Sequence, residues 1–180
     1  RFVIESGLVL PSWVRLRGAS VPRRASEITG GDTTPGRGTT IVIGGAKNFH
    51  MVTNDDPTNG NVSICIEGIE FDQTGATGDV DMIRLSKAWR SQIIGCYFRS
   101  AATTNRRGVH MRTTSERSWI MHNVFEGCGI MLDGVNAQWI QDNEIGVGII
   151  GIRYTGTPGS TGYGSHIIGN HIYNSSSDQI

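Results

Sequence analysis

Hydrophobic positions recur along the chain in an eight-residue pattern, not at the three- and four-residue spacing of a helix. An aliphatic residue is followed five positions later by a large apolar residue. The five copies are ICIEGIEF (64–71), SQIIGCYF (91–98), SWIMHNVF (118–125), QWIQDNEI (138–145) and SHIIGNHI (165–172).

The aliphatic position aligns these copies with two fainter ones near the start of the chain. Successive steps between the aligned residues are 27, 23, 27, 27, 20 and 27 positions. Such a period, with several short strands and no helix in it, indicates stacked units whose strands pair in parallel with those of the units before and after. The aligned residues are Leu16, Ile43, Ile66, Ile93, Ile120, Ile140 and Ile167.

The repeat predicts an all-β chain folded as a single-stranded parallel β-helix, a solenoid of about seven coils. We expect one domain segment over residues 1–180, with early coils over 1–60, regular coils over 61–180 and an inserted loop at 154–164. Because the ends of such a stack expose unpaired strand edges, we expect the chain to be a fragment of a longer one. Leucine-rich repeats share the period, but five Leu in the whole chain are too few for them.

Composition agrees with strands and excludes several classes of function. Ile, Val and Thr total 49 residues against 13 Leu and Ala, which excludes a mainly helical protein. Sixteen Lys and Arg balance sixteen Asp and Glu, so nucleic acid is not expected as the main ligand. No apolar run is long enough to span a membrane. The cysteines and histidines lack metal-site spacing, and no helix is expected after the glycines of 146–151, so we expect neither a metal nor another cofactor.

Three asparagines and two longer stretches connect the repeat to a known family. The stretches are WIMHNVFEGCGIML (119–132) and LVLPSWVRLRGAS (8–20), and the asparagines are Asn123, Asn143 and Asn170. The repeat resembles the right-handed parallel β-helix repeat of the pectate-lyase superfamily, whose tight bends carry a stacked asparagine ladder. The opening stretch is similar to the first coils of phage tailspikes and bacterial polysaccharide lyases. The resemblance implies right-handed coils, a polysaccharide partner, a homotrimer of the full-length chain, and a location that is extracellular or on a virion surface.

Two glutamates of successive units are the first candidates for catalysis. Glu126 and Glu144 flank the large apolar position of neighbouring units, which places their Cα atoms about 8 Å apart on one face. Inverting glycosidases separate their two carboxyl groups by about 6.5–9.5 Å, so that a water molecule fits between acid and base. Asp133 and Asp142 are the next candidates. The alternative is that these side chains are polar residues of the outer surface, which a stack of coils repeats without any chemistry.

A second set of charged residues follows the other strand of each unit. The sequence aligns Ser86, Arg112, Asp133 and Arg153 in one column. Alternating charges predict a salt-bridge ladder that holds the units in register, with little stability from each exposed pair. The functional alternative is a groove in which Arg112 and Arg153 bind the carboxylates of an acidic sugar.

Aromatic residues supply the remaining candidates for substrate binding. Trp119, Trp139 and His166 fall at one position of three successive units. Stacked rings there predict either a platform for sugar rings or a ladder that only stabilises the fold. Tyr154 lies at the start of the expected insertion, and insertions in solenoids often form the binding face.

Together these features predict a carbohydrate-active protein that binds and cleaves a polysaccharide, of the phage tailspike or secreted depolymerase type. If it is an enzyme, a glycoside hydrolase is expected first and a lyase second. Lyases of the superfamily commonly use a Lys or Arg base, and both lysines, Lys47 and Lys87, lie outside the charged columns. The alternative is a non-catalytic β-helix segment of a virion fibre or surface protein.

Overall fold

The structure, a computed structural model, describes residues 1–19, 38–43, 47–77, 80–101, 106–146, 151–156 and 164–173. These residues form short strands joined by turns and bends, with no helix among them. In chain order the strands are β1 (Phe2–Ile4), β2 (Leu8–Leu10), β3 (Arg15–Arg17), β4 (Thr39–Ile43), β5 (Val52–Asn54), β6 (Asn61–Val62), β7 (Cys65–Glu67), β8 (Ile69–Asp72), β9 (Asp81–Ser86), β10 (Ala88–Trp89), β11 (Gln92–Ile94), β12 (Tyr97–Arg99), β13 (Arg107–Arg112), β14 (Trp119–Met121), β15 (Val124–Glu126), β16 (Gly129–Asp133), β17 (Trp139–Gln141), β18 (Glu144–Gly146), β19 (Ile152–Thr155), β20 (His166–Ile168) and β21 (His171–Tyr173).

Three parallel sheets contain nearly all of these strands. Sheet 1 has the order β3-β7-β11-β14-β17-β20, sheet 2 the order β1-β4-β8-β12-β15-β18-β21, and sheet 3 the order β2-β5-β9-β13-β16-β19. The chain visits sheets 1, 2 and 3 in turn and then returns to sheet 1, one strand further along each sheet. On two of these returns the short strands β6 and β10 pair with each other. The expected all-β class and the parallel pairing of successive units are therefore confirmed.

The register of sheet 1 confirms the repeat position with one exception. Leu16 pairs directly with Ile66, a step of 50 residues, so Ile43 does not stand between them. Ile43 lies instead in β4 of sheet 2, opposite Ile4. Both sheets turn alternate aliphatic residues inward, so the spacing alone could not distinguish their strands. The column in sheet 1 is Leu16, Ile66, Ile93, Ile120, Ile140 and Ile167.

The core is a set of rows that run from unit to unit. In sheet 2, Phe71, Phe98 and Phe125 point inward, are almost fully buried and stack on one another. Their ring centroids lie 5.5 Å and 4.7 Å apart, with ring planes 8° and 13° from parallel. Because the strands pair in register, apolar side chains at the same position of successive units contact one another and form the core.

The bend between sheets 1 and 2 holds the asparagine ladder. Asn123 donates to Oδ1 of Asn143 at 3.0 Å, and Asn143 donates to Oδ1 of Asn170 at 2.8 Å. Each amide also donates to a main-chain carbonyl of the preceding unit, as Asn143 does to Ile120 at 2.9 Å. The ladder fixes the position of the strands that follow it, among them β15 and β18 with the candidate glutamates.

Candidate functional site

Glu126 and Glu144 lie on neighbouring strands of sheet 2 and on the outer face of that sheet. Val124 pairs with Glu144 and Glu126 with Gly146, so the two glutamates are offset by two residues on adjacent strands. Both side chains are half-buried. This is the arrangement from which the separation of about 8 Å between Cα atoms was predicted.

Glu126 receives two groups from β12, the strand of the preceding unit. The hydroxyl of Tyr97 donates a hydrogen bond to Oε2 of Glu126. Nε of Arg99, which stands opposite Glu126 in the pairing, lies 3.8 Å from the same oxygen. Burial raises the pKa of the Tyr97 hydroxyl, and the hydrogen bond to Glu126 raises it further. Tyr97 therefore remains a donor to Glu126.

Tyr173 lies near both glutamates from the other side. Its ring packs over Gly146, where an added Cβ would stand 2.4 Å from the ring carbon Cζ, so only glycine leaves room for it. Burial raises the pKa of the Tyr173 hydroxyl first, followed by the charge of Glu144 and a hydrogen bond with it. The charge of Glu126 acts in the same direction. The outer face of β12, β15, β18 and β21 thus combines two carboxylates with two tyrosine hydroxyls.

The other acidic residues of this face are bound locally. Glu70 accepts a hydrogen bond of 3.0 Å from the hydroxyl of Thr40. Asp72 accepts bonds of 2.9 Å and 2.7 Å from the amide and the hydroxyl of Thr74. Asp72 therefore caps its own turn, and a catalytic role of Glu126 and Glu144 stays a prediction.

The aromatic column of sheet 1 forms as predicted. Trp119 and Trp139 stack with centroids 5.1 Å apart and planes 14° from parallel, and His166 continues the stack at 5.7 Å. Rings that are this close to parallel cover much of each other's faces. A sugar ring would therefore meet their outer edges, or the face of Trp119 that is turned towards β11. The geometry is that of a ladder, and a role of Trp119 and Trp139 in sugar binding stays a prediction.

A cleft of about 250 Å³ opens on sheet 1 next to this ladder. Gln92, which lines it, pairs with both Trp119 and Cys65, so the cleft continues the aromatic column towards the start of the chain. Burial raises the pKa of the Cys65 thiol, which keeps it protonated. The lining residues are Arg15, Ser63, Ile64, Cys65, Arg90 and Gln92.

The charged column of sheet 3 differs from the prediction at its last member. Arg112 stands opposite Asp133, with Nε 3.8 Å from Oδ2, but Asp133 pairs onward with Thr155. Arg153 pairs with Met131 instead, two residues away from the expected position. A shift of two residues keeps the same side chains outward, so the apolar pattern fits both registers. Arg153 is exposed and does not belong to the Arg112–Asp133 column.

Tyr154 and Asp142 lie away from the glutamate pair. Tyr154 belongs to β19, and its hydroxyl donates to the carbonyl of Val135 at 2.5 Å. The expected insertion therefore begins after this strand, and residues 157–163 lie outside the described residues. Asp142 occupies the bend between sheets 1 and 2 with a φ of 51°, exposed, and accepts a bond of 2.8 Å from Gln141. Within the described chain no ion pair joins Asp142 to His122 of the preceding unit.

The structure also contains a charged cluster that the sequence did not reveal. Asp81, at the start of β9, is completely buried on the outer side of sheet 3. It contacts Arg107 and His110 of the next strand, 26 and 29 residues away. Arg84 and His110 stand opposite each other in the register of β9 and β13, a relation that aligned repeats can predict. The burial of Asp81 could not be predicted, because it depends on how these long side chains close over it.

Comparisons with protein-family models, with curated proteins and with solved structures find no match for this chain. Among the described residues, no group of three or more His, Cys, Asp or Glu side chains is placed to hold a metal ion. In the same part of the chain no helix is long and apolar enough to cross a membrane.

Proposed function

We propose that the chain is a segment of a right-handed parallel β-helix that binds a polysaccharide and hydrolyses it. Three observations support the fold: the repeated passage through three parallel sheets, the in-register pairing of successive units, and the asparagine ladder at one bend. The resemblance to the repeat of the pectate-lyase superfamily supports the handedness and the choice of a polysaccharide. A phage tailspike or a secreted depolymerase, acting as a homotrimer outside the cell or on a virion surface, is the type of protein that combines these properties.

One observation carries the catalytic part of the proposal. Glu126 and Glu144 lie on paired strands with an offset of two residues, on the outer face of the sheet. The same two units carry the stacked Trp119 and Trp139 on the preceding strands. Carboxylates near aromatic side chains are the usual components of a site that binds and cleaves sugars.

The two glutamates receive different roles. Glu126 lies near the guanidinium of Arg99, so we assign it the role of the base that takes a proton from the attacking water. Glu144 has no ion-pair partner among the described residues, and it acts as the acid that protonates the departing glycosidic oxygen. Tyr97, Arg99 and Tyr173 orient the pair. The separation of about 8 Å between the Cα atoms of the two glutamates leaves room for a water molecule between the carboxyl groups, which predicts inversion at the anomeric carbon.

The test is cleavage of a panel of capsular and plant polysaccharides by the chain and by Glu126→Gln and Glu144→Gln variants. We expect new reducing ends without the absorbance of an unsaturated uronate, and a loss of rate of about 100-fold or more in each variant. Glu70→Gln is the matched control, because it changes a glutamate of the same face that is bound to Thr40. This control should retain the full rate within about twofold.

Other outcomes select the alternatives. An unsaturated product would identify a lyase, and full activity in both glutamine variants would move the site elsewhere. If the chain neither binds nor cleaves any member of the panel, the non-catalytic β-helix segment of a fibre or surface protein is the better assignment. The mutual covering of Trp119 and Trp139 is the observation that favours this second function.

A further inference from the structure

The outer side of sheet 3 contains a carboxylate that is withdrawn from solvent and surrounded by basic side chains. Asp81 accepts from Nε of Arg107, and its Oδ2 lies 2.9 Å from Nδ1 of His110. Nδ1 of His50 is 3.6 Å and Nε of Arg84 3.9 Å from the same oxygen. The contacts with His110, Arg107 and His50 lower the pKa of Asp81 despite its burial, so the carboxylate stays ionised.

Positive charge exceeds negative charge on this surface. One row crosses four neighbouring strands of sheet 3, β9, β13, β16 and β19. Its members are Arg84, His110, Met131 and Arg153. Arg107 and Arg112 lie on the same strand as His110, and Asp133 lies opposite Arg112. The four arginines Arg84, Arg107, Arg112 and Arg153 face the two carboxylates Asp81 and Asp133, which leaves a formal charge of +2 with both histidines neutral.

Two nitrogen atoms of this surface are buried and make no hydrogen bond, although one of them, Nε of Arg112, lies 3.8 Å from Oδ2 of Asp133. Nε2 of His110 and Nε of Arg112 have no hydrogen bond, and the two residues are neighbours on the same face of β13. The side chain of His110 is only 7% exposed. A buried polar atom without a partner costs about 1–3 kcal/mol, so each is a place where a ligand atom would restore a bond.

Asp81 determines what His110 offers to such a ligand. By accepting the Nδ1 proton it fixes the ring so that Nε2 points away from the carboxylate. When both ring nitrogens carry a proton, Nε2 donates as well. The side chains of Arg84 and Arg112 are about one-third exposed, so part of each lies at the surface where a ligand would arrive.

We propose that this surface is a binding site for a doubly charged tetrahedral oxyanion, a phosphate or sulfate group, held between His110 and Arg112. The excess positive charge favours a dianion over a carboxylate, which carries a single negative charge. Arginine forks bind such oxygens through two parallel hydrogen bonds. The site lies on sheet 3 and uses none of the residues of the glutamate pair, so it stands or fails independently of the proposed hydrolysis.

The test is calorimetric titration of the chain with inorganic phosphate, with inorganic sulfate and with acetate at fixed ionic strength. We expect saturable binding of at least one of the two dianions and at least about tenfold weaker binding of acetate. Phosphate binding that strengthens as the pH rises through about 7, where inorganic phosphate loses its second proton, would assign the site to phosphate esters. Binding of sulfate alone would assign it to sulfate esters.

Two variants locate the site. Arg112→Gln should weaken binding of the dianion at least about tenfold, and Arg112→Lys should restore only part of it, because lysine lacks the planar fork. Arg117→Gln removes an equal charge from an exposed turn and should leave binding unchanged. Urea unfolding of each variant establishes that it is folded. Absence of saturable dianion binding, equal affinity for acetate, or equal weakening by Arg117→Gln would overturn the proposal.

Discussion

The hydroxyl of Tyr97 donates a hydrogen bond to the carboxylate of Glu126, which belongs to the next unit and lies 29 residues further along the chain. The two strands are adjacent in sheet 2, so this bond joins two units on the outer face, as the phenylalanine stack joins them on the inner face. A candidate catalytic residue thus also takes part in joining neighbouring units.

Tyr97→Phe should destabilise the chain by about 1 kcal/mol at pH 7, because it removes this bond while keeping the ring. The pKa of Tyr97 is raised in the folded chain, so the contribution of the hydroxyl is complete below about pH 10, the ordinary value for tyrosine, and is lost as the pH rises further. Urea unfolding at pH 7 and pH 11 should show the difference between wild type and variant shrinking at the higher pH. A difference that is equal at both values would contradict the prediction.

Phe98→Ala should destabilise the chain by about 3–5 kcal/mol, because Phe98 is the middle ring of the stack and both neighbours would border the cavity. Phe98→Leu should cost less than half as much, since it fills most of the volume. The comparison residue is Phe2, which is 62% exposed, so that Phe2→Ala should have little effect. Chemical denaturation measures all three, and similar losses for Phe2 and Phe98 would show that the rows do not form the core.

Asn143→Ala should cost about 2–4 kcal/mol, because it removes the acceptor of Asn123 and the donor to the carbonyl of Ile120 inside the bend. Asn170→Ala should cost less, because Asn170 is half-buried and water can replace its amide. Gln141→Ala, at an exposed position, serves as the control. The loss of unfolding free energy should be smallest for the Gln141 variant, larger for the Asn170 variant and largest for the Asn143 variant. The reverse order would argue against the ladder.

The lowered pKa of His50 predicts that the folded chain loses stability in mild acid. Burial lowers its pKa, and the charges of Arg107 and Arg112 add to this effect, whereas Asp81 opposes it. As the pH falls below about 6.5 the unfolded chain takes up a proton at His50 before the folded chain does, so the stability present above this pH is progressively lost. His50→Gln should reduce the loss of unfolding free energy between pH 7.5 and pH 5.5, and His122→Gln, at an exposed bend, should not. If both variants lose as much stability as wild type, His50 is not the sensor.

The sequence predicts the columns of the core well, because every unit repeats the same inward positions. Ile66, Ile93 and Ile120 are aligned by their spacing alone, and the structure pairs them directly. Ile43 and Arg153 are assigned to wrong columns for the same physical reason. An alternating pattern separates inward from outward side chains, but it does not distinguish one sheet from another or a register from one shifted by two residues.

The candidate sites are predicted less completely, since they depend on the side chains of neighbouring units. Glu126 and Glu144 follow from the repeat, but Tyr173 joins them only because Gly146 leaves its position open for a ring. Asp81 lies on the outer side of its sheet, and the sequence alone therefore predicts that its side chain is exposed. Its burial results from Arg107 and His110 closing over it, which no spacing of residues in the sequence expresses.

The steps of 27 residues from Ile66 to Ile93 and from Ile93 to Ile120 have a consequence for how such a chain changes in length. Excision of residues 93–119 would bring Ile120 next to Ile66 and leave every row continuous, whereas excision of one residue fewer would turn each inward side chain outward. A longer or shorter relative can therefore arise by duplication or loss of whole units. Its cross-section would stay constant, because each added unit contributes the same length and the same contacts. Total stability would therefore increase with length, whereas the fraction of surface that is buried would stay the same.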